Sequence, residues 1–332
     1  PAYDRQQTIY KNLLTALKNA SNDLDASKAV YPGTADPIYN GSLTKWKQFA
    51  NSLRLRLALR MSTADPAAAQ AEIASLQGQS FISANSESAI FPYNGDIRNP
   101  LFDLVNSGQS GGRTYPSKFL IDHLKATNDP RIKVFAQYTL ESTIIGIPDY
   151  DGVPNLVPAG SSIWSNYNSD ASDVSKMGTW FLKQDAPGMI MSYAEVCFLK
   201  SEAALKGWYS GDAQQYYVDG VTANMQSYTG GGITTTQINT YVASLPPVSL
   251  ENIITQKWIT FTYQNGFEAY NEYRRTGYPV LKDYSGNAIN ANTFPNRLTY
   301  PANELSLNSA NYYDAIAHQG ADNAATKVWW DQ

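Results

Sequence analysis

"TKWKQFANSLRLRLALRMS", residues 44–62, sets five cations among leucines without a single acid. On a helix, Trp46, Ala50, Leu53 and Leu57 share one stripe, and Leu55 and Leu59 lie roughly opposite. Apolar residues on two sides predict a helix sandwiched between neighbours, with Ser42 able to cap its start. Lys45, Lys47, Arg54, Arg56 and Arg60 then each need water or a partner. Arg60 falls three residues after Leu57, inside the first stripe. Arg56 and Arg60 are four apart and repel unless something neutralises them. No acid occurs between Ser42 and Ala64, so partners must come from distant sequence. An anion site and a lattice of buried ion pairs both meet this need. Glu268 and Glu272, at helical spacing in "GFEAYNEYRR" (266–275), point to the lattice, although Arg275 can also claim Glu272. Such a lattice tends to fix register more than it adds stability.

Helical signals extend outward from this segment. Ile9, Leu13, Leu17, Ala20 and Leu24 recur at intervals of three and four, predicting an amphipathic helix over about 4–25. Asp65-Pro66 reads as N-cap and first position of a short helix closed by Gly78. Ser117 and Asp129-Pro130 start two more, and Ser192 with Glu195 reads as a capping box. "AALKGWYSGDAQQYYVDGV" (203–221) spaces small residues, glycine and aromatics as in a tetratricopeptide hairpin, and 4–25 with 43–63 could form another pair. Ser249 opens "ENIITQKWITFTYQNGFEAYNEYRR" (251–275), interrupted near Gly266. By contrast, 78–116, 141–188 and the tail from Gly277 are dense in Gly, Pro, Asn and Ser. The expected fold is mainly α: one domain over 1–332, with a helical-hairpin scaffold at about 4–77 and 189–276. Long irregular loops at about 78–188 and 277–332 contribute few short strands.

A chain of 332 residues can bury a large core. Its net charge of −4 supplies no basic field for nucleic acid or anionic lipid. Charged residues make up 16%, against about 25% in typical domains, and 23 Tyr and 7 Trp help fill the deficit. That balance suits neutral polar ligands, sugars among them. The single Cys197 cannot form an internal disulfide, and its apolar helical setting predicts a buried, inert thiol. No apolar run approaches the ~18 residues of a membrane span.

Catalytic motifs fare poorly. "GQSGG" (108–112) matches the nucleophile elbow formally, but Pro116 and "SGGRTYP" predict a loop, and only His123 or His318 could act as base. Two histidines and one cysteine build no ordinary zinc site without carboxylates, and no H-E-x-x-H occurs. "DYDG" (149–152) lacks the remaining ligands of a calcium loop and reads as a turn. No phosphate-cradling Walker sequence is present, and nothing selects a pair of acids for glycoside hydrolysis. No cofactor is expected.

Six stretches carry a resemblance in order: "YNGSLTKWKQFANSLRLRLALRMS" (39–62), "NDPR" (128–131), "MSYAEVCFLKSEAALKGW" (191–208), "GFEAYNEYRRTGYPVL" (266–281), "FPNRLTYPANE" (294–304) and "VWWD" (328–331). Together, from Tyr3 to Asp331, they resemble the SusD/RagB family of outer-membrane nutrient-binding lipoproteins, most closely its SusD-like branch with a double-tryptophan ending. The resemblance implies an all-α core of tetratricopeptide-like hairpins decorated by ligand-holding loops. It also implies tethering outside the bacterial outer membrane by a lipidated cysteine. A TonB-dependent SusC-like transporter is the implied partner, carrying captured glycan inward. The family's signal peptide, lipid-bearing cysteine and first helical segments precede the part matched here, so this chain is expected to lack an N-terminal segment.

The leading expectation is therefore non-catalytic capture of an oligosaccharide. Peptide capture by a RagB-like protein, a glycan hydrolase and a purely structural repeat are the alternatives. Sugars pair apolar C–H faces with hydroxyls, so their sites set exposed rings beside planar polar groups. Two loop stretches have this mixture. "FPYNGDIRNP" (91–100) offers Tyr93, Asn94, Asp96 and Arg98; "SIWSNYNSD" (162–170) offers Trp164, Asn166, Tyr167 and Asn168.

Overall fold

The cation-rich segment folds as α2, Leu43–Arg60, with the Ser42 side chain accepting from the Lys45 amide. It is sandwiched as expected, but the two stripes are unequal in the opposite sense. Leu55, Ala58 and Leu59 are sealed in the core, while Leu53 and Leu57 stay half-buried. Each fully buried leucine contributes about 1.5–3 kcal/mol. The computed structural model describes residues 1–28, 33–106, 114–158, 161, 173–288 and 294–332.

α1, Gln6–Asp23, packs along α2 as the first helical pair. Its buried face is Tyr10, Leu14 and Ser21, whereas Ile9 and Leu13 are exposed. The stripe predicted from Ile9 is thus displaced by one residue. Tyr10 and Leu14 win because Met61, Ala69 and Trp330 gather on that side. α3, Pro66–Ser75, starts at Asp65, whose side chain accepts from the Ala68 amide. Gly78 follows with a φ of 73°, a conformation that favours glycine.

The loop-rich middle holds β1 (Ala89–Phe91), α4 (Pro100–Asn106), α5 (Lys118–Ala126), α6 (Ile132–Phe135) and α7 (Leu140–Ile144). Asp129 accepts from the Arg131 amide, and the helix that follows is the four residues of α6. β1 pairs antiparallel with β2, Gly188–Met191, in register Ile90↔Met189.

β2 leads into the second hairpin, α8 (Tyr193–Leu205) and α9 (Ala213–Gln226), the most extensively packed helix pair. A Cβ on Gly220 of α9 would stand 2.6 Å from the Phe198 ring of α8, so only glycine permits this approach. α10 (Thr235–Ala243), α11 (Leu250–Phe261) and α12 (Gly266–Thr276) complete the scaffold. α13 (Glu304–Leu307) and α14 (Ser309–Gln319) lie in the tail. Cys197 is buried on α8, and burial pushes its thiol up to about 12.

The three arginines of α2 find acids outside their own helix, while Lys45 donates to the Ser86 carbonyl. Arg56 donates to Glu195 of α8 at 2.6 and 2.7 Å. Arg60 meets Glu268 at 2.5 Å and Glu272 at 3.2 Å, both on α12. Glu272 also accepts from Lys257 of α11 at 2.8 Å and from Arg275 at 2.7 Å. Arg275 forks onto Glu202 of α8 through two 2.7 Å bonds. Four cations and four carboxylates therefore tie α2, α8, α11 and α12 into one lattice. Nearer by, Arg54 pairs with Glu72 of α3 at 2.6 Å. Glu195 corrects the capping-box reading: Ser192 caps its amide, but its carboxylate is taken by Arg56. The reciprocal box stands instead at Thr234 and Gln237. Trp330 closes the lattice edge, its ring beneath Arg274 and Arg60 at 4.5 and 5.3 Å.

The lattice sets the acid limit of the fold. Burial alone would raise the Glu272 carboxyl, but Arg275, Lys257 and Arg60 hold it well below the ordinary glutamate value of 4.5. Glu268 is lowered likewise by Arg60 and Arg56, against the effect of burial. A depressed carboxylate contributes stability that is present above 4.5 and lost as pH falls through the folded value. Urea midpoints are expected to stay level from about pH 8 to 5.5 and to fall steeply below 4.5. Equal stability at pH 3 and pH 7 would refute this assignment.

Candidate functional site

A concavity of about 1020 Å³ opens where α5, α10 and the first turns of α11 converge. Its base is the 128–131 stretch. Asn128, at a φ of 51°, turns the chain so that Asp129 and Arg131 point into protein. Arg131 is wholly buried and forks onto Asp129, with a shortest contact of 2.5 Å. It also donates to Asn224 and Gln256, each at 2.7 Å, and its guanidinium lies 5.7 Å from the Tyr241 ring centre. One residue thus positions Gln256 and Tyr241, two members of the cleft wall.

The outer rim is built from the segment after α6. Lys125 of α5 reaches across to the Asp149 carboxylate at 2.8 Å and the Tyr150 carbonyl at 3.1 Å. Thr139 donates its amide to the Asp149 carbonyl at 3.0 Å. These bonds bring Tyr150 beside Tyr138, with ring centres 4.6 Å apart and planes inclined by 35°. Burial and a hydrogen bond with Tyr138 raise the Tyr150 hydroxyl, while Tyr138 keeps 51% of its surface exposed. Both rings line the cleft.

Every charged group of the lining is already committed. Lys125 is held by Asp149, Lys133 by the Gly232 carbonyl and Gln237, and Asp129 by Arg131. Burial pushes the His123 imidazole down, favouring its neutral form. What remains for a ligand is uncharged: the exposed side chains of Asn128, Thr236 and Thr240, beside the two rings. Among the described residues, Asp129 is the only carboxylate of the lining. Among the described residues, no group of three or more His, Cys, Asp or Glu could hold a metal ion. The "DYDG" acids are both occupied, Asp149 by Lys125 and Asp151 by Lys118 at 3.2 Å.

The first predicted loop lies elsewhere. Tyr93 packs edge-on to Phe91 at 5.1 Å and lines a separate cavity of about 190 Å³ with Phe181 and Tyr263. Asn94 turns its side chain onto the Asp96 and Ile97 amides. Asp96 is exposed, and Arg98 pairs with Asp103 at 3.0 Å. None of the four lines the large cleft. Trp164, Asn166, Tyr167 and Asn168 fall outside the described residues, as does the "GQSGG" stretch. The rim tyrosines were not singled out from sequence. Their one signal is that they bracket "TLESTIIGIPD" (139–149), a run of exposed aliphatics in a segment otherwise read as loop.

A family model described as starch-binding and associating with the outer membrane, SusD-like, matches residues 1–301. Solved structures agree along the whole chain. A chitin-binding protein is 31% identical with a TM-score of 0.86, covering 100% of this chain and 74% of its own. A SusD homologue from Bacteroides fragilis is 26% identical at 0.87, covering 100% and 76%. A chitin-binding SusD homologue from Flavobacterium johnsoniae is 28% identical at 0.80, covering 100% and 73%. No curated protein matches.

Proposed function

This chain belongs to the SusD-like family, and from that membership we propose that it captures a neutral glycan at the outer surface of the outer membrane and passes it to a SusC-like TonB-dependent transporter. Glycan binding and outer-membrane association are properties of the family; the cleft as the site and the hand-over are our reading for this protein. A lipid anchor would keep the cleft facing outward. The observation that carries the reading is the cleft itself, with the exposed Tyr138 and half-buried Tyr150 rings at its rim and a lining in which Lys125 and Asp129 are ion-paired and Lys133 is hydrogen-bonded to neutral oxygens. Rings cover the C–H face of a pyranose, and uncharged amides and hydroxyls meet its oxygens. A peptide would bring charged termini or side chains, for which the lining offers only Lys133, already hydrogen-bonded to two neutral oxygens, outside its ion pairs. A hydrolase would need a second, unpaired carboxylate. Non-catalytic capture follows, with the Tyr93 loop and the Trp164 stretch proposed as further contacts for longer ligands.

Chitin and starch oligosaccharides are the first probes, the former because two relatives carry chitin binding in their descriptions. Affinities between about micromolar and millimolar are expected in calorimetric titration, without product release. Tyr138 is half-exposed, so Tyr138→Ala should weaken binding at least tenfold while leaving thermal unfolding nearly unchanged. Undiminished affinity in that variant, or cleavage of the oligosaccharide, would overturn the proposal.

A further inference from the structure

A second concavity of about 330 Å³ shares no lining residue with the cleft, yet is framed by the same two helices. α5 contributes its C-terminal half and the residues after it to the cleft, but Ser117 and Leu120, at its start, to this groove. α11 runs the other way, giving Asn252, Thr255 and Gln256 to the cleft and Trp258, Phe261 and Thr262 to the groove. By helical rise, Ser117 and Ala126 are about 13 Å apart. The groove walls are aromatic: Tyr270 and Tyr273 flank Phe294, with ring centres 5.6 and 4.8 Å from it, and Tyr115 and Trp258 complete the lining. Among the described residues, no charged side chain lines it. The Tyr115 and Tyr273 hydroxyls bond no group among the described residues, and neither is among the buried unpaired atoms.

Resting on the reading of the cleft as a glycan site, we propose that this groove is a second subsite for a neutral sugar ring, occupied by the same glycan chain. Uncharged walls select a neutral occupant. Ring faces offer stacking surface, and two hydroxyls that bond no group among the described residues offer directional bonds, the combination a pyranose needs. The shared α5–α11 frame sets the two concavities a few sugar units apart. Linked occupancy makes the second binding event intramolecular, so affinity rises with chain length wherever a chain can span both.

The test titrates di- and hexasaccharides of chitin and of starch, in parallel, against the wild-type protein and two variants. Tyr115→Ala removes a ring that makes no hydrogen bond among the described residues, and Tyr273→Phe removes only a hydroxyl. The wild type should bind the better hexasaccharide at least tenfold more tightly than its disaccharide. Tyr115→Ala should bring that ratio close to one without changing disaccharide affinity, and Tyr273→Phe should lower it two- to fivefold. Disaccharide binding with no length dependence, or a ratio unchanged in both variants, overturns the second subsite and leaves the cleft intact. Absence of binding by every saccharide overturns the reading of the cleft, and the subsite with it.

Discussion

Glu272→Ala is expected to remove about 3–5 kcal/mol of folding stability, enough to unfold much of a protein whose total is about 5–15 kcal/mol. Glu272 is almost fully buried and accepts from Lys257, Arg275 and Arg60 together. Its loss leaves four cations facing three carboxylates inside the scaffold. Lys257 can shed its proton to relieve the imbalance; the two arginines cannot. Removing a matched pair should therefore hurt less than removing one member. The double variant Glu272→Leu/Lys257→Met restores the balance and should be more stable than Glu272→Ala alone. Urea denaturation checks both statements. A single variant within about 1 kcal/mol of wild type would show that the lattice carries no such coupling.

Asp129→Ala is expected to be nearly as damaging, at about 3–5 kcal/mol, because Arg131 has no solvent to turn to. Asn224 and Gln256 still accept from it, but neither is charged. The reverse variant behaves differently. Arg131→Met leaves a buried carboxyl that can take up a proton, so its pKa rises and the variant loses stability as pH rises through that value. Arg131→Met should thus be distinctly less destabilised at pH 5 than at pH 8, while the cost of Asp129→Ala should be the same at both. Denaturation midpoints at the two pH values decide the matter. Parallel behaviour of the variants would remove charge burial as the explanation.

The helical scaffold was legible because local chemistry marks its boundaries. Ser42, Asp65, Ser117 and Ser249 cap helices as their neighbours predicted. The need of α2 for remote acids was equally plain, since its own stretch holds none. Glu268 could be named because its spacing from Glu272 puts both on one face. Glu195, Glu202 and Lys257 were not named, because charge complementarity across helices is a tertiary quantity. The face of α1 was misread for a similar reason: two apolar stripes one residue apart are equivalent until Trp330 chooses between them. The cleft was least legible of all. Its walls come from stretches more than a hundred residues apart, and Arg131 and Lys125 join them by bonds that no periodicity announces.

The reach of the lattice along the chain also sets an order in time. Arg56 and Glu195 are 139 residues apart, and Arg60 and Glu268 are separated by 208. A chain emerging N-terminus first exposes α2 long before either acid exists. Until then, Arg56 and Arg60 keep their water, and that hydration opposes early burial of the leucines between them. Contacts of such separation slow the final step, since loop closure must precede its reward. Completion therefore waits for α12, whose arrival neutralises α2 and commits the scaffold as a unit. A helix near the start of the chain thus stays provisional until one near its end is made.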